Sequence, residues 1–407
     1  MFAGQNHLFI MNRVAKRMLV LSESETLAMA RRSRELKAQG KDVISLSIGE
    51  PDYDTPEFLK ESAYKAIREN YTHYTPVAGF QDLREAAALK FKRDNNISYK
   101  PEQIVVSTGA KQSIANAIMS LVDEGDEVLL PAPYWVSYIE MVKLAGGTPR
   151  VVYAGLEHDF KVNPEMLRPF MNEKTRMIVF SSPCNPTGSV YSREELKALA
   201  TFLSAYPELI IISDEIYEHI NFGEQHCSIA SFDEVYNQTI TVNGLSKCFA
   251  MTGWRLGYLG APKWIADACD KFQGQITSGT NSIAQRVAID ALQADPSVIH
   301  PMVEGFHKRR DLMYGLLKEI KGLEVNLPKG AFYFFPNIEA FLGKRSGNFE
   351  VNTAHDLTMY LLNEHLLATV SGEAFGCAKS IRLSYATSED QIIESVKRLK
   401  AGLEALQ

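Results

Sequence analysis

The stretch GLSKCFAMTGWRLGY, residues 244–258, sets a lysine directly after a serine and an arginine eight residues beyond that lysine, with Gly244, Gly253 and Gly257 around them. Taken singly, these residues describe a basic surface loop, since most lysines and arginines are solvated. Taken together, they describe a covalent cofactor lysine beside a phosphate site. Ser246 can donate a hydroxyl hydrogen bond, and Arg255 offers a planar fork to phosphate oxygens. What surrounds the stretch decides between the two readings.

It begins at the end of a short apolar run, TITVN, and the same pattern recurs upstream. QIVVSTGAKQ, DEVLLPAPYW, TRMIVFSSPCNPTG and LIIISDEIY are apolar runs that each end at a polar or glycine-rich turn. Between such runs lie segments of helical periodicity, among them ESAYKAIREN and GFQDLREAAALKFKRDN. QIVVSTGAKQ predicts a strand over 104–106 and a helix from about Lys111. Strands alternating with helices predict an α/β fold with a mainly parallel central sheet between helices.

Beyond Ala291 the pattern changes. A charged amphipathic stretch, HPMVEGFHKRRDLMYGLLKEIKG, leads to two strand-like runs, GAFYFFPNI and SIRLSYA. These predict a smaller α+β domain, made discontinuous by a helix over 25–39 that packs with it. The expected divisions are an N-terminal extension at 1–23, the first part of the small domain at 24–50, the large domain at 51–292 and the rest of the small domain at 293–407. Residues 1–10 are expected to be disordered, and Met11 is a candidate second start.

Composition removes several classes of function. The net charge of −6 argues against a nucleic-acid partner. There is no run of 18 apolar residues, so no membrane span is expected. The first ten residues lack the basic start and apolar core of a secretory signal. Five cysteines without CxxC spacing suit a reducing cytoplasm, and the nine histidines show no ligand spacing, so no metal site is expected.

Ligands of open α/β sheets sit at the carboxyl ends of the strands. The ends of four runs, read as central strands, carry STGAK, SSPCNPTG, SDEIY and GLSK. Gly109 and Ala110 open a helix, whose first N–H groups attract anions. Asp214 is either a helix cap or a carboxylate that keeps a proton on a heterocyclic nitrogen. Tyr217 and Asn185 could bond a phenolate oxygen beside that nitrogen's ring. Lys247 becomes a nucleophile once its pKa is lowered. Phosphate grip, ring carboxylate, phenolate donors and amine together describe a site for pyridoxal phosphate.

On these motifs the chain resembles a class I aminotransferase of the fold-type I pyridoxal-phosphate family, from Ser24 to the C-terminus. SKCFAMTGWRLGY is similar to the family's cofactor signature, and SSPCNPTG and SDEIY occur in the expected order. The resemblance implies that Lys247 attaches the cofactor, that Asp214 partners its ring nitrogen, and that Asn185 and Tyr217 meet its ring oxygen. It gives Ser246, Arg255 and the backbone of Gly109, Ala110 and Lys111 to the phosphate, and stacks Trp135 on the ring. Lys247, Asp214 and Tyr217 are the implied catalytic residues.

For substrate, the resemblance implies that Arg382 in SIRLSYA holds the α-carboxylate with Gly49 and Asn185, beside Trp135. Tyr74 is implied to reach the phosphate of a neighbouring subunit, which makes a homodimer with shared active sites the expected assembly. The segment KFQGQITSGTNSIAQ lacks the arginine that animal and enteric aspartate aminotransferases place near there. GEPDYDTP, GAKQ and SGEAFG instead resemble the other bacterial aspartate aminotransferase branch. There the GAKQ lysine contacts the distal carboxylate, so Lys111 inherits that role, with Ser24 and Thr26 assisting.

The implied reaction is ping-pong transfer of an amino group from L-aspartate to 2-oxoglutarate, with prephenate an acceptor in some members. An aromatic, kynurenine or broad-specificity aminotransferase and a β-lyase are the alternatives within enzymes. A non-enzymatic ligand-sensing domain of the same fold is the alternative outside them. Such regulators add a DNA-binding segment, and only about 23 residues precede the matched region.

Overall fold

The apolar runs that end in polar turns are strands of one seven-stranded sheet. In chain order they are β1 (Ile104–Ser107), β2 (Glu127–Ala132), β3 (Thr148–Tyr153), β4 (Thr175–Ser181), β5 (Ile210–Asp214), β6 (Thr239–Gly244) and β7 (Gly257–Gly260). The computed structural model describes residues 14–223 and 225–407, so the expectations for 1–10 and Met11 lie outside the described residues. Across the sheet the order is β1-β7-β6-β5-β4-β2-β3. Only β7 runs antiparallel to its neighbours, β1 and β6. The other pairs are parallel.

The named helices are α1 (Glu25–Ala38), α2 (Glu57–Arg68), α3 (Gln81–Asn95), α4 (Ala110–Leu121), α5 (Arg193–Leu203), α6 (Lys263–Ile276), α7 (Ser282–Gln293), α8 (His300–Leu317), α9 (Ala354–His365) and α10 (Glu389–Glu404). Strand periodicity assigns them to faces, because successive side chains point to opposite sides. Val128, Val179 and Ile212 pack with Ile114 and Ile118 of α4 and Ile265 of α6. Their neighbours Leu129, Ile178 and Ile211 pack with Leu196 and Leu199 of α5 on the other face. A strand covered on both faces reads as a continuous apolar run, which is why these strands were visible.

Two strands escape the sequence reading. β3 is an edge strand whose residues are largely solvent-facing, and its TPRVVY has neither a clean alternation nor a continuous run. β7, GYLG, is half glycine, a residue disfavoured in strands. A Cβ at Gly260 would lie 2.5 Å from the Tyr99 ring, so the glycine admits that ring. One placement is corrected: β1, which carries STGAK, is an edge strand and not a central one. Because β7 is reversed, β1 still runs parallel to β6, and both deliver their ends to the same edge.

The smaller unit packs α8, α9 and α10 around a three-stranded antiparallel sheet, Val370–Ser371, Ile381–Ser384 and Tyr333–Phe334 in spatial order. Phe306, Phe332, Phe334, Leu361, Leu383 and Ile392 form its centre. Burying one such side chain contributes about 1.5–3 kcal/mol. From the far end of the chain, Met29 and Leu36 of α1 pack on Leu362 and Ala368. Ile44 and Ser45 pair in parallel with Leu367 and Ala368. The segment 25–45 thus packs and pairs with the C-terminal part of the chain.

Candidate active site

The working side chains lie just beyond strand ends. Gly109 and Ala110 follow β1, Asn185 follows β4, Asp214 closes β5, and Ser246 and Lys247 follow β6. Arg382 comes from the small sheet. Ala110, Asn185, Asp214, Ser246, Lys247 and Arg382 line one cavity of about 470 Å³ with Gly49, Lys111, Trp135, Tyr217 and Arg255. Ser24 and Thr26 at the start of α1 line it too. Gly109 borders it against Arg255, whose Nη2 lies 2.5 Å from where a Gly109 Cβ would sit. Tyr74 lies apart: it does not line the cavity, and its side chain is fully exposed.

The first turn of α4 can receive an anion. Gly109, at φ +88°, caps the helix without any side chain to fill its free N–H groups. A helix start carries partial positive charge. Gly257 of β7 backs the turn so closely that a Cβ there would come within 2.2 Å of the Ala110 nitrogen. Arg255 adopts a left-handed backbone, φ +56°, which a non-glycine residue holds only at a cost, and its Nη1 donates to the Thr252 carbonyl at 2.8 Å. Ser246 is buried beside it.

Lys247 donates to the Gly49 carbonyl at 2.6 Å. Burial pushes its pKa down to about 8; Arg382 and Arg255 act in the same sense, and Glu50 opposes them. Asp214 is buried, and that burial pushes its pKa up to about 6, against a hydrogen bond donated by Tyr138 at 2.6 Å and another by the Ile216 N–H. The Tyr217 hydroxyl is 2.7 Å from that of Tyr333.

Arg382 is buried, with Nη1 donating to Asn185 Oδ1 at 3.0 Å and Nη2 to the Ser47 carbonyl at 2.7 Å. Its Nε has no partner, and the guanidinium lies over the Tyr333 and Phe375 rings. No carboxylate pairs with it among the described residues. A buried cation without a counterion is unfavourable until a ligand supplies one. Lys111 is also without an acidic partner among the described residues. Its ammonium is 5.2 Å from the Trp135 ring centre, and burial, then Arg255, lowers its pKa.

Sequence reasoning missed several cavity neighbours, among them Tyr138, Tyr333 and Glu50. Tyr138 and Tyr333 carry no local motif, and Glu50 sits within GEPDYDTP but was given no role; Tyr138 is 76 positions from the carboxylate it bonds. The reading of isolated histidines is corrected as well. Asp94, Glu218 and His219 cluster in space, as do Glu215, Glu218 and His226, and the segment DEIYEH already holds three of these, Glu215, Glu218 and His219. The Lys90 ammonium pairs with Glu218 at their centre.

The family model Aminotransferase class I and II matches residues 41–399. A relative from Petunia hybrida, a bifunctional aspartate aminotransferase and glutamate/aspartate-prephenate aminotransferase, is 44% identical over 385 residues, covering 93% of this chain and 80% of that one. The crystal structure of the aspartate aminotransferase from Rhizobium meliloti superposes with a TM-score of 0.94 at 38% identity, over 97% of this chain and 100% of that one. The aspartate aminotransferase from Thermus thermophilus with maleate gives 0.90 at 37% identity, over 96% and 99%.

Proposed function

The chain belongs to the class I and II aminotransferase family, and we propose that it holds pyridoxal 5'-phosphate and transfers the amino group of L-aspartate to 2-oxoglutarate. The observation that carries the substrate reading is a pair of cations, Arg382 and Lys111, that line one cavity and have no carboxylate partner among the described residues. A dicarboxylic amino acid supplies both counterions. The Thermus relative was solved with maleate, itself a dicarboxylate.

The residues fit the cofactor. The glycine-lined start of α4, Ser246 and Arg255 suit its phosphate, and the close approach of Gly257 to Ala110 leaves the helix N–H groups free. Asp214 would accept a hydrogen bond from the ring nitrogen, Tyr217 and Asn185 would meet the ring oxygen, and Trp135 would cover the ring. When bound, the cofactor supplies an electron sink for the negative charge that develops at the substrate Cα.

The chain's own groups do the rest. Arg382 grips the α-carboxylate with its fork and, with Asn185, fixes which Cα bond faces the base. Lys247 is that base: its lowered pKa makes the free amine available to take the Cα proton and to give it back later in the transfer. Tyr138 keeps the Asp214 carboxylate ionised and aimed. Lys111 selects for a second carboxylate, with Ser24 and Thr26 beside it. Prephenate as acceptor is a second reading, favoured by the name of the Petunia relative.

We infer a homodimer in which Tyr74, fully exposed in the single chain, reaches the phosphate site of the other protomer. Among the described residues no helix is long and apolar enough to cross a membrane. A cytoplasmic location remains part of the proposal.

The test is Lys111→Ala. Activity towards aspartate should fall by a charge-assisted bond's worth, about 1.5–3 kcal/mol, with little change towards phenylalanine. Equal losses for both substrates would assign Lys111 to the cofactor and remove the basis for acidic specificity.

A further inference from the structure

The pentapeptide Asp214–Glu218, DEIYE, repeats one arrangement twice. Asp214 and Tyr217, the two polar side chains of the segment that line the cavity, are each followed by a buried glutamate that does not line it. Glu215 is 0% exposed and has three partners. Its Oε1 accepts from Ser213 Oγ at 2.8 Å and Ser228 Oγ at 2.6 Å, and its Oε2 is 2.9 Å from His226 Nε2. Glu218 pairs with Lys90 of α3, accepts from Asn95 Nδ2 at 2.7 Å and lies 3.0 Å from His219 Nε2.

These bonds compensate for something the backbone lacks. Residues 216–219 form a turn beyond the end of β5, so no sheet ladder holds Tyr217 in place. Two buried carboxylates fasten that turn, one to residues 226–228 and one to α3. Buried ion pairs add little net stability, because desolvation offsets attraction; they are suited to fixing one geometry. The Lys90 ammonium sits where a cation would otherwise be drawn, so the cluster reads as a fastening and not a metal site.

We propose that Glu215 and Glu218 are positioning residues that aim Asp214 and Tyr217 at the cofactor. This rests on the reading of those two residues as cofactor contacts. It is tested on the holoenzyme with Glu215→Gln, with Ser228→Ala, and with the paired change Lys90→Met/Glu218→Gln, which removes both charges together. Pyridoxal-phosphate dissociation and its visible absorption maximum are measured alongside the thermal melt and the kcat and KM for aspartate.

Small misplacements of reacting groups cost as much as about a hundredfold. Glu215→Gln and the paired variant should therefore bind cofactor at least about tenfold more weakly, with a shifted absorption maximum and a kcat that falls more than KM rises. Ser228→Ala should show a smaller effect of the same kind. A folded Glu215→Gln protein with wild-type affinity, absorption maximum and kcat would overturn the proposal. Should that variant not fold, unchanged cofactor binding in Ser228→Ala and the paired variant would overturn it equally. Failure of the wild-type protein to bind pyridoxal phosphate would instead remove the reading on which the proposal rests.

Discussion

Lys247 is held in a cavity that disfavours its charge. Burial moves its pKa from 10.5 to about 8, so the free amine predominates above pH 8 and is scarce well below it. The rate at which cofactor-free protein attaches pyridoxal phosphate should rise with pH and level off above about 8, followed by stopped-flow absorbance. A midpoint at 10.5 would describe an ordinary solvated lysine. Ser246, Lys247 and Arg255 were legible in the sequence because one short segment holds amine, hydroxyl and guanidinium together. Tyr138, which fixes Asp214, was not: a lone tyrosine becomes informative only when folding places its hydroxyl 2.6 Å from a buried carboxylate. Glu215 stood in plain view beside Asp214, but its partner Ser228 lies 13 residues on, beyond the reach of a local motif.

At the scale of elements, the proposed anion site depends on β7 lying tight against the first turn of α4. Gly257→Ala would drive a methyl group into the Ala110 nitrogen, 2.2 Å away, and the turn must shift. Overpacking of this kind costs about 1–3 kcal/mol. The variant should melt earlier and lose cofactor affinity together, measured by calorimetry and by titration with pyridoxal phosphate; unchanged affinity would separate the turn from phosphate binding. The strands of the sheet interior were readable because both of their faces are covered. β3 was hidden by its exposure at the sheet edge, and β7 by the glycines that let Tyr99 and α4 approach it.

For the whole molecule, the change of pattern after Ala291 marks where the chain leaves the seven-stranded sheet for the helices and strands of the three-stranded one, while the spatial clustering of Asp94, Glu215, Glu218, His219 and His226 needed the fold to bring α3 to the end of β5. The proposed dimer makes a further claim. A Tyr74→Ala chain would damage its neighbour's site and a Lys247→Ala chain its own, so a mixed dimer keeps one undamaged site. Refolding the two together should restore activity above that of either parent, in a steady-state assay with aspartate. No gain on mixing would contradict shared sites.

The most direct measurement of the central claim is a single half-reaction. Purified protein loaded with pyridoxal phosphate is mixed with L-aspartate in the absence of any 2-oxo acid, and the visible absorbance and the oxaloacetate formed are followed. The account predicts loss of the visible band with one oxaloacetate per site, reversal on adding 2-oxoglutarate, and neither change in Lys247→Ala. A visible band that aspartate leaves unaltered, with no oxaloacetate released, would contradict it.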